Sequence, residues 1–235
     1  MSAVEQKHKK RKGSLIARGR KAVFNALGER NLKRNLELWA RVKEAEALTA
    51  STGCNYREYW WLYDFVRTRR PQFILECGAG ISTIVMGFAI RDLELHGHTP
   101  PKLISMENVP FYYENLVKLM PPEIDPYVEI NLSDVEDVEF TCGVGRSYSN
   151  VPDYPFQFVF TDGPNLPEDE TVPYFDCDYI NVVRKAKTKV VGALDGRRST
   201  RRAYQQLLSA ARQAKLRNVG FYHIEASASD FQMTA

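Results

Sequence analysis

The stretch Pro71-Gln-Phe-Ile-Leu-Glu-Cys-Gly-Ala-Gly-Ile-Ser-Thr-Ile-Val-Met-Gly-Phe-Ala-Ile90 constrains the fold more than any other. Phe73, Ile74 and Leu75 form a short apolar run behind a proline, the pattern of a strand covered on both faces, and the run ends at Glu76. Gly78 and Gly80 then allow a backbone path and a close ligand approach that a Cβ would block, while Ser82 and Thr83 are placed to cap a helix. A strand, a glycine turn and a helix start in this order predict an α/β domain whose first turn offers backbone N–H groups to a ligand.

Two ligand classes use such a turn, dinucleotides and S-adenosylmethionine. A dinucleotide fingerprint is G-x-G-x-x-G, but here Thr83 holds the third glycine position. Glu76, two places before the first glycine, suits a cationic ligand and would repel a pyrophosphate. On these residues the sequence resembles the class I S-adenosylmethionine-dependent methyltransferases, whose first motif is an acidic residue followed by x-Gly-x-Gly. The resemblance covers about residues 56 to 235. It implies a Rossmann-like, doubly wound, seven-stranded α/β sheet, mostly parallel with the last strand antiparallel, and helices on both faces.

The spacing of the later motifs agrees with that resemblance. Lys102 to Asn108 reads as a second strand closing in Glu107, 27 residues beyond Gly80. A carboxylate there can accept both ribose hydroxyls of a nucleoside, as in dinucleotide folds, with Asn108 beside it. Pro110 to Leu119 reads as a helix and Tyr127 to Leu132 as strand three. Ser133-Asp134 then falls where the family contacts adenine, although Asp137 and Glu139 compete with Asp134 for the role. Phe156-Gln-Phe-Val-Phe-Thr-Asp-Gly-Pro164 is an apolar strand closing in an Asp-Gly-Pro turn, so Asp162 should face the same pocket as Glu76. Tyr174 to Lys185 is expected as one helix, and Lys189 to Asp195 as strand five. Ser199 to Ala214 is expected as a helix, and Val219 to Glu225 with Ser229 to Thr234 as a closing pair of strands.

The resemblance also implies roles. Glu76, Gly78, Gly80, Ser82, Thr83, Glu107, Asn108, Asp134 and Asp162 are the expected cofactor-binding residues. Asp162 and Asp195 are the expected catalytic carboxylates, with His223 a further candidate base and Tyr148 a binding group. In this family the segment before the first strand often lids the site, so Tyr56, Tyr59 and Trp60 are candidates to face the acceptor, and Arg197 stands at the expected rim. Metal-dependent catechol-type members use an Asp-Asn pair after strand five; Gly196 follows Asp195 here, and no metal is expected. The implied activity is methyl transfer to a small-molecule or glycan-type acceptor at oxygen. Nucleic-acid methylation, aminopropyl transfer and a non-catalytic adaptor acting through the N-terminus are the alternatives.

Charge divides the chain. Its net charge is only +3, yet residues 1 to 34 hold eleven Lys or Arg against Glu5 and Glu29, and the remainder carries −6. Residues 1–30 read as a flexible basic arm and 31–235 as one methyltransferase-type domain, within which 31–70 are helices covering the site. Such an arm suits an anionic membrane surface, nucleic acid, or a solubilising role. Leu15, Ile16, Val23, Phe24 and Leu27 give a helix after Ser14 a weak apolar face, which leans toward a membrane or a partner. The charged start lacks the apolar core of a signal peptide, and Cys54, Cys77, Cys142 and Cys177 form no C-x-x-C pair. A cytoplasmic protein, in part peripheral to the inner face of a membrane, is the expectation.

Overall fold

The computed structural model describes residues 15–49, 54–167, 172–194, 196–209, 217–218 and 221–231. Three helices precede the sheet: α1 (Leu15–Leu32), α2 (Leu36–Leu48) and α3 (Tyr56–Arg69). Helices α1 and α2 are separated by a turn at residues 33–35. Asn35 caps α2 by accepting the Leu38 N–H, and its amide also reaches Tyr63 and Asp92, tying the break to the core. The expected arm boundary at residue 30 falls inside α1. This helix crosses α3 so closely at Gly28 that a Cβ there would lie 2.5 Å from the Arg57 Cα.

Strands β1 (Phe73–Cys77), β2 (Lys102–Glu107), β3 (Val128–Leu132), β6 (Phe158–Thr161), β8 (Val190–Leu194), β9 (Arg217–Asn218) and β10 (Tyr222–Ala226) make one seven-stranded sheet in the order β3-β2-β1-β6-β8-β10-β9. The first five of that order are mutually parallel, and β10 runs antiparallel to both its neighbours. The α/β, doubly wound architecture is therefore as expected. The chain winds outward from β1 to β3, then returns to lay β6 on the other side of β1, so the switch point lies between β1 and β6.

Alternation along the strands sorts the core onto two faces. Ile74, Leu103, Phe158, Phe160 and Ala193 pack beneath α3 and α4 (Ile81–Leu95), whereas Leu75, Ile104, Met106, Val159 and Val190 pack beneath α6 (Asp178–Lys185) and α7 (Arg198–Leu207). Helix α4 is buried along most of its length and runs to Leu95. Helix α5 (Pro110–Leu119) follows β2 as expected.

Between β3 and β6 the chain forms a hairpin, β4 (Val135–Phe140) with β5 (Gly143–Tyr148). The short strand β7 (Tyr174–Asp176) joins it in parallel, pairing with Val144–Arg146. This corrects the expected helix over Tyr174–Lys185: the first three residues are taken by strand pairing, and α6 begins only at Asp178. The closing strands are also corrected. The pair is Arg217–Asn218 with Tyr222–Ala226, while residues 228–230 form a 3-10 turn and Phe231 bridges to Leu208. Residues 210–216 and 232–235, which complete the expected last helix and strand, lie outside the described residues.

Candidate functional site

The turn after β1 is built mainly by internal hydrogen bonds. The Gly78 and Ala79 N–H groups both donate to the Met106 carbonyl at 3.0 Å, and the Gly80 N–H donates to Thr83 Oγ1. The expectation that these N–H groups face a ligand is thus corrected for residues 78–80. Gly78 has a φ of +97°, and a Cβ on it would stand 2.7 Å from the Gly163 nitrogen. A Cβ on Gly163 would in turn meet the Gly78 Cα at 2.8 Å and the Tyr148 hydroxyl at 3.0 Å. The two glycines let the turns after β1 and β6 lie back to back, which holds the switch point closed.

Glu76 sits beneath this turn and is fully buried. Its carboxylate accepts from the hydroxyls of Ser82 (2.5 Å), Thr83 (2.6 Å) and Ser105 (2.6 Å), so it locks β1, β2 and the start of α4 together. Burial pushes its carboxyl up to about 7, against the pull of the three hydroxyls, and the nearby Asp162 charge adds to the rise. Glu76 and Thr83 stand behind the wall of the cavity described next, and neither lines it.

That cavity, about 580 Å³, opens beyond the carboxyl ends of β1, β2 and β6. Gly78, Gly80, Ser82, Glu107, Asn108, Tyr59, Asp162 and Arg197 line it, bringing together most of the residues expected from sequence. Glu107 is buried, and its Oε1 accepts the N–H groups of Asn108 (2.8 Å) and Val109 (2.7 Å), which fixes the carboxylate at the mouth of β2. Burial raises its pKa while these N–H groups oppose the rise. Asp162 leads off β6, where its N–H donates to the Cys77 carbonyl and its Oδ2 lies 3.7 Å from Cys54 Sγ. Burial, and then the Asp162 charge, push the Cys54 thiol well up.

Other expected residues are placed elsewhere. Tyr56 points away from the cavity, its hydroxyl bonded to Glu46 and Lys43 and its ring against Trp39. Trp60 packs against the core, and Asp134 has an exposed side chain while its carbonyl accepts from Ser149. His223 lies among Trp61 and Phe65 on the face covered by α3. Arg197 reaches the rim but is engaged with the chain itself: it donates to the carbonyls of Pro164 (2.9 Å) and Asp162 (3.0 Å) and lies 3.4 Å from the buried Asp176. Asp195 lies outside the described residues.

Sequence reasoning missed Glu58, Cys54 and Tyr112, which also line the cavity. The signal for Glu58 was available. Asn55-x-x-Glu58 is a capping box, in which Asn55 accepts from the Arg57 and Glu58 N–H groups and Glu58 accepts the Asn55 N–H. It fixes the amino end of α3 at the cavity rim. The lining thus carries Glu58, Glu107 and Asp162 against Arg197, an acidic surface.

Comparison with known proteins adds a partial likeness. The sequence matches no protein-family model and no curated protein. Among solved structures, it overlaps the O-methyltransferase TomG from Streptomyces achromogenes, determined with SAM, at 16% identity and TM-score 0.41, over 66% of this chain and 64% of that one. The SAH-bound methyltransferase PaMTH1 from Podospora anserina gives 14% and 0.44, over 67% and 61%. A methyltransferase-like protein from Silicibacter pomeroyi gives 14% and 0.44, over 72% and 84%. The chain spans less than two thirds of the length of the first two. At this distance the functional reading rests on the cavity itself.

Proposed function

We propose that the cavity binds S-adenosylmethionine and that the protein transfers its methyl group to a small-molecule or glycan-type acceptor, at oxygen. The observation that carries this reading is the position of Glu107. Its carboxylate is fixed at the end of β2 by two backbone N–H groups, beside a glycine turn at the switch point, where it can accept ribose hydroxyls. The acidic lining favours a cation over a pyrophosphate. The Tyr148 hydroxyl, buried at the wall without a hydrogen-bond partner among the described residues, supplies a polar group for a ligand to satisfy.

When bound, S-adenosylmethionine supplies a methyl group on a sulfonium that leaves as a neutral thioether. The chain's own part is placement and proton removal. Glu107 holds the nucleoside end, Gly78 and Gly80 shape the floor, and Tyr59 closes the side from α3. Asp162 has its side chain exposed to the cavity and takes the proton of the acceptor hydroxyl, while Arg197 fixes the backbone that carries it. Arg197 is accordingly a positioning residue rather than a substrate ligand.

The test is mass spectrometry of a panel of hydroxylated acceptors and glycans incubated with protein and S-adenosylmethionine. The expected result is a gain of ~14 mass units, one added CH2, lost in Asp162→Asn while cofactor binding is kept. Transfer onto nucleic acid alone, or an aminopropyl gain from decarboxylated S-adenosylmethionine, would replace the reading with one of its rivals.

A further inference from the structure

A second cavity, about 760 Å³, lies among α6, the β4–β5 hairpin and the loop over residues 149–156. Helix α6 is two-sided. Tyr179, Ile180 and Val183 are buried beneath it, and Asp178, Asn181, Val182 and Lys185, at i, i+3, i+4 and i+7, line the cavity along one stripe. Across from that stripe stand Val151, Pro152, Tyr154 and Phe156.

The polar groups are graded along the cavity. At the amino end of α6, Asp178 is buried, and its Oδ1 accepts the Tyr148 N–H at 3.0 Å while Oδ2 has no hydrogen-bond partner among the described residues. Burial pushes its carboxyl well above the ordinary carboxylate range. At the carboxyl end stand Arg184, over the Phe140 ring, and Lys185 and Lys187, all exposed and without an ion pair among the described residues. The acids Glu136 and Asp153 line the cavity from the hairpin and the loop, so the cations are gathered at one end only; apolar walls with three cations at that end describe the complement of an amphipathic anion whose acidic group lies there.

We propose that this cavity is a binding site for a small amphipathic anion, an aromatic body held between Val182 and the 151–156 wall with its acidic group at Lys185 and Lys187. The proposal is independent of what the first cavity binds. Tyr148 lines both cavities, so a ligand here would lie against a side chain that also forms a wall of the first site.

The experiment titrates the full chain with two fluorescent probes of one shape, 8-anilinonaphthalene-1-sulfonate and its uncharged parent N-phenyl-1-naphthylamine. Folded protein should bind both saturably. Replacing both lysines (Lys185→Ala, Lys187→Ala), which lie on the surface, should weaken the sulfonate by about tenfold and leave the neutral probe unchanged. Val182→Trp should abolish binding of both by filling the space, with the thermal melt checking that it folds. Absence of saturable binding, equal loss of both probes in the lysine variant, or full binding by a folded Val182→Trp would each overturn the proposal.

Discussion

Three hydroxyls hold the Glu76 carboxylate inside the fold, which ties its protonation to stability. Its pKa is raised from an ordinary 4.5 to about 7. Between those values the native state holds more protons than the unfolded chain, so this residue lowers stability as pH rises from about 4.5 through about 7. A shift of this size corresponds to at most about 3 kcal/mol. Glu76→Gln cannot ionise, so its denaturation free energy, measured from pH 5 to 8, should lack that fall; parallel profiles for the two proteins would contradict the assignment. The residue type was legible in the sequence, but its role was not. An acid before a glycine turn reads as a ligand contact, and only the packing of Ser105 from β2 shows that it faces inward.

At the scale of elements, the five parallel strands of the main sheet were legible because each is a short apolar or alternating run closed by a turn or an acid, whereas the closing pair was not, since β9 is only Arg217–Asn218. Nor was the hairpin between β3 and β6. Val135–Phe140 carries Glu136, Asp137 and Glu139 on an edge strand, so its outer positions read as a polar loop, although such charges also protect an edge from further pairing. Its partner β5 reveals itself only through Arg146, which grips Asp137 at 2.7 and 2.8 Å. The turn after β6 depends likewise on another element. Arg197 leads into α7 and joins the carbonyls of Asp162 and Pro164 to the buried Asp176. Arg197→Ala removes the cation beside the buried Asp176 while Thr200 Oγ1 still donates to it, and should cost roughly 2–3 kcal/mol, below the range for breaking a fully buried pair because the guanidinium is partly exposed. Thermal denaturation checks the loss. Arg197→Lys should recover only part of it, since a lysine cannot span two carbonyls and a carboxylate; full recovery would mean that charge alone matters.

At the scale of the whole molecule, the two glycine-closed strands lie side by side, which is why their motifs converge on one cavity. Tyr56 and Asp134 fell outside it because helix rotation and the hairpin turn set their directions, and neither is written in local spacing. Among the described residues no helix is long and apolar enough to cross a membrane. Helix α1 exposes Val23, Phe24 and Leu27, next to a segment rich in basic residues. Because α1 packs on α3, a deletion confined to residues 1–14, which carry five Lys or Arg, spares that packing. Deleting them should weaken pelleting with anionic vesicles, at up to about 1 kcal/mol per basic residue, and leave affinity for S-adenosylhomocysteine unchanged; unchanged pelleting would remove the membrane role. The central claim is the identity of the ligand in the first cavity, and calorimetry tests it most directly. Titration with S-adenosylhomocysteine should show saturable binding that Glu107→Ala weakens by about 1.5–3 kcal/mol, the usual loss for a hydrogen bond to a charged group, and titration with NAD should show none. Tight NAD binding without heat from S-adenosylhomocysteine, or an affinity untouched by Glu107→Ala, would contradict it.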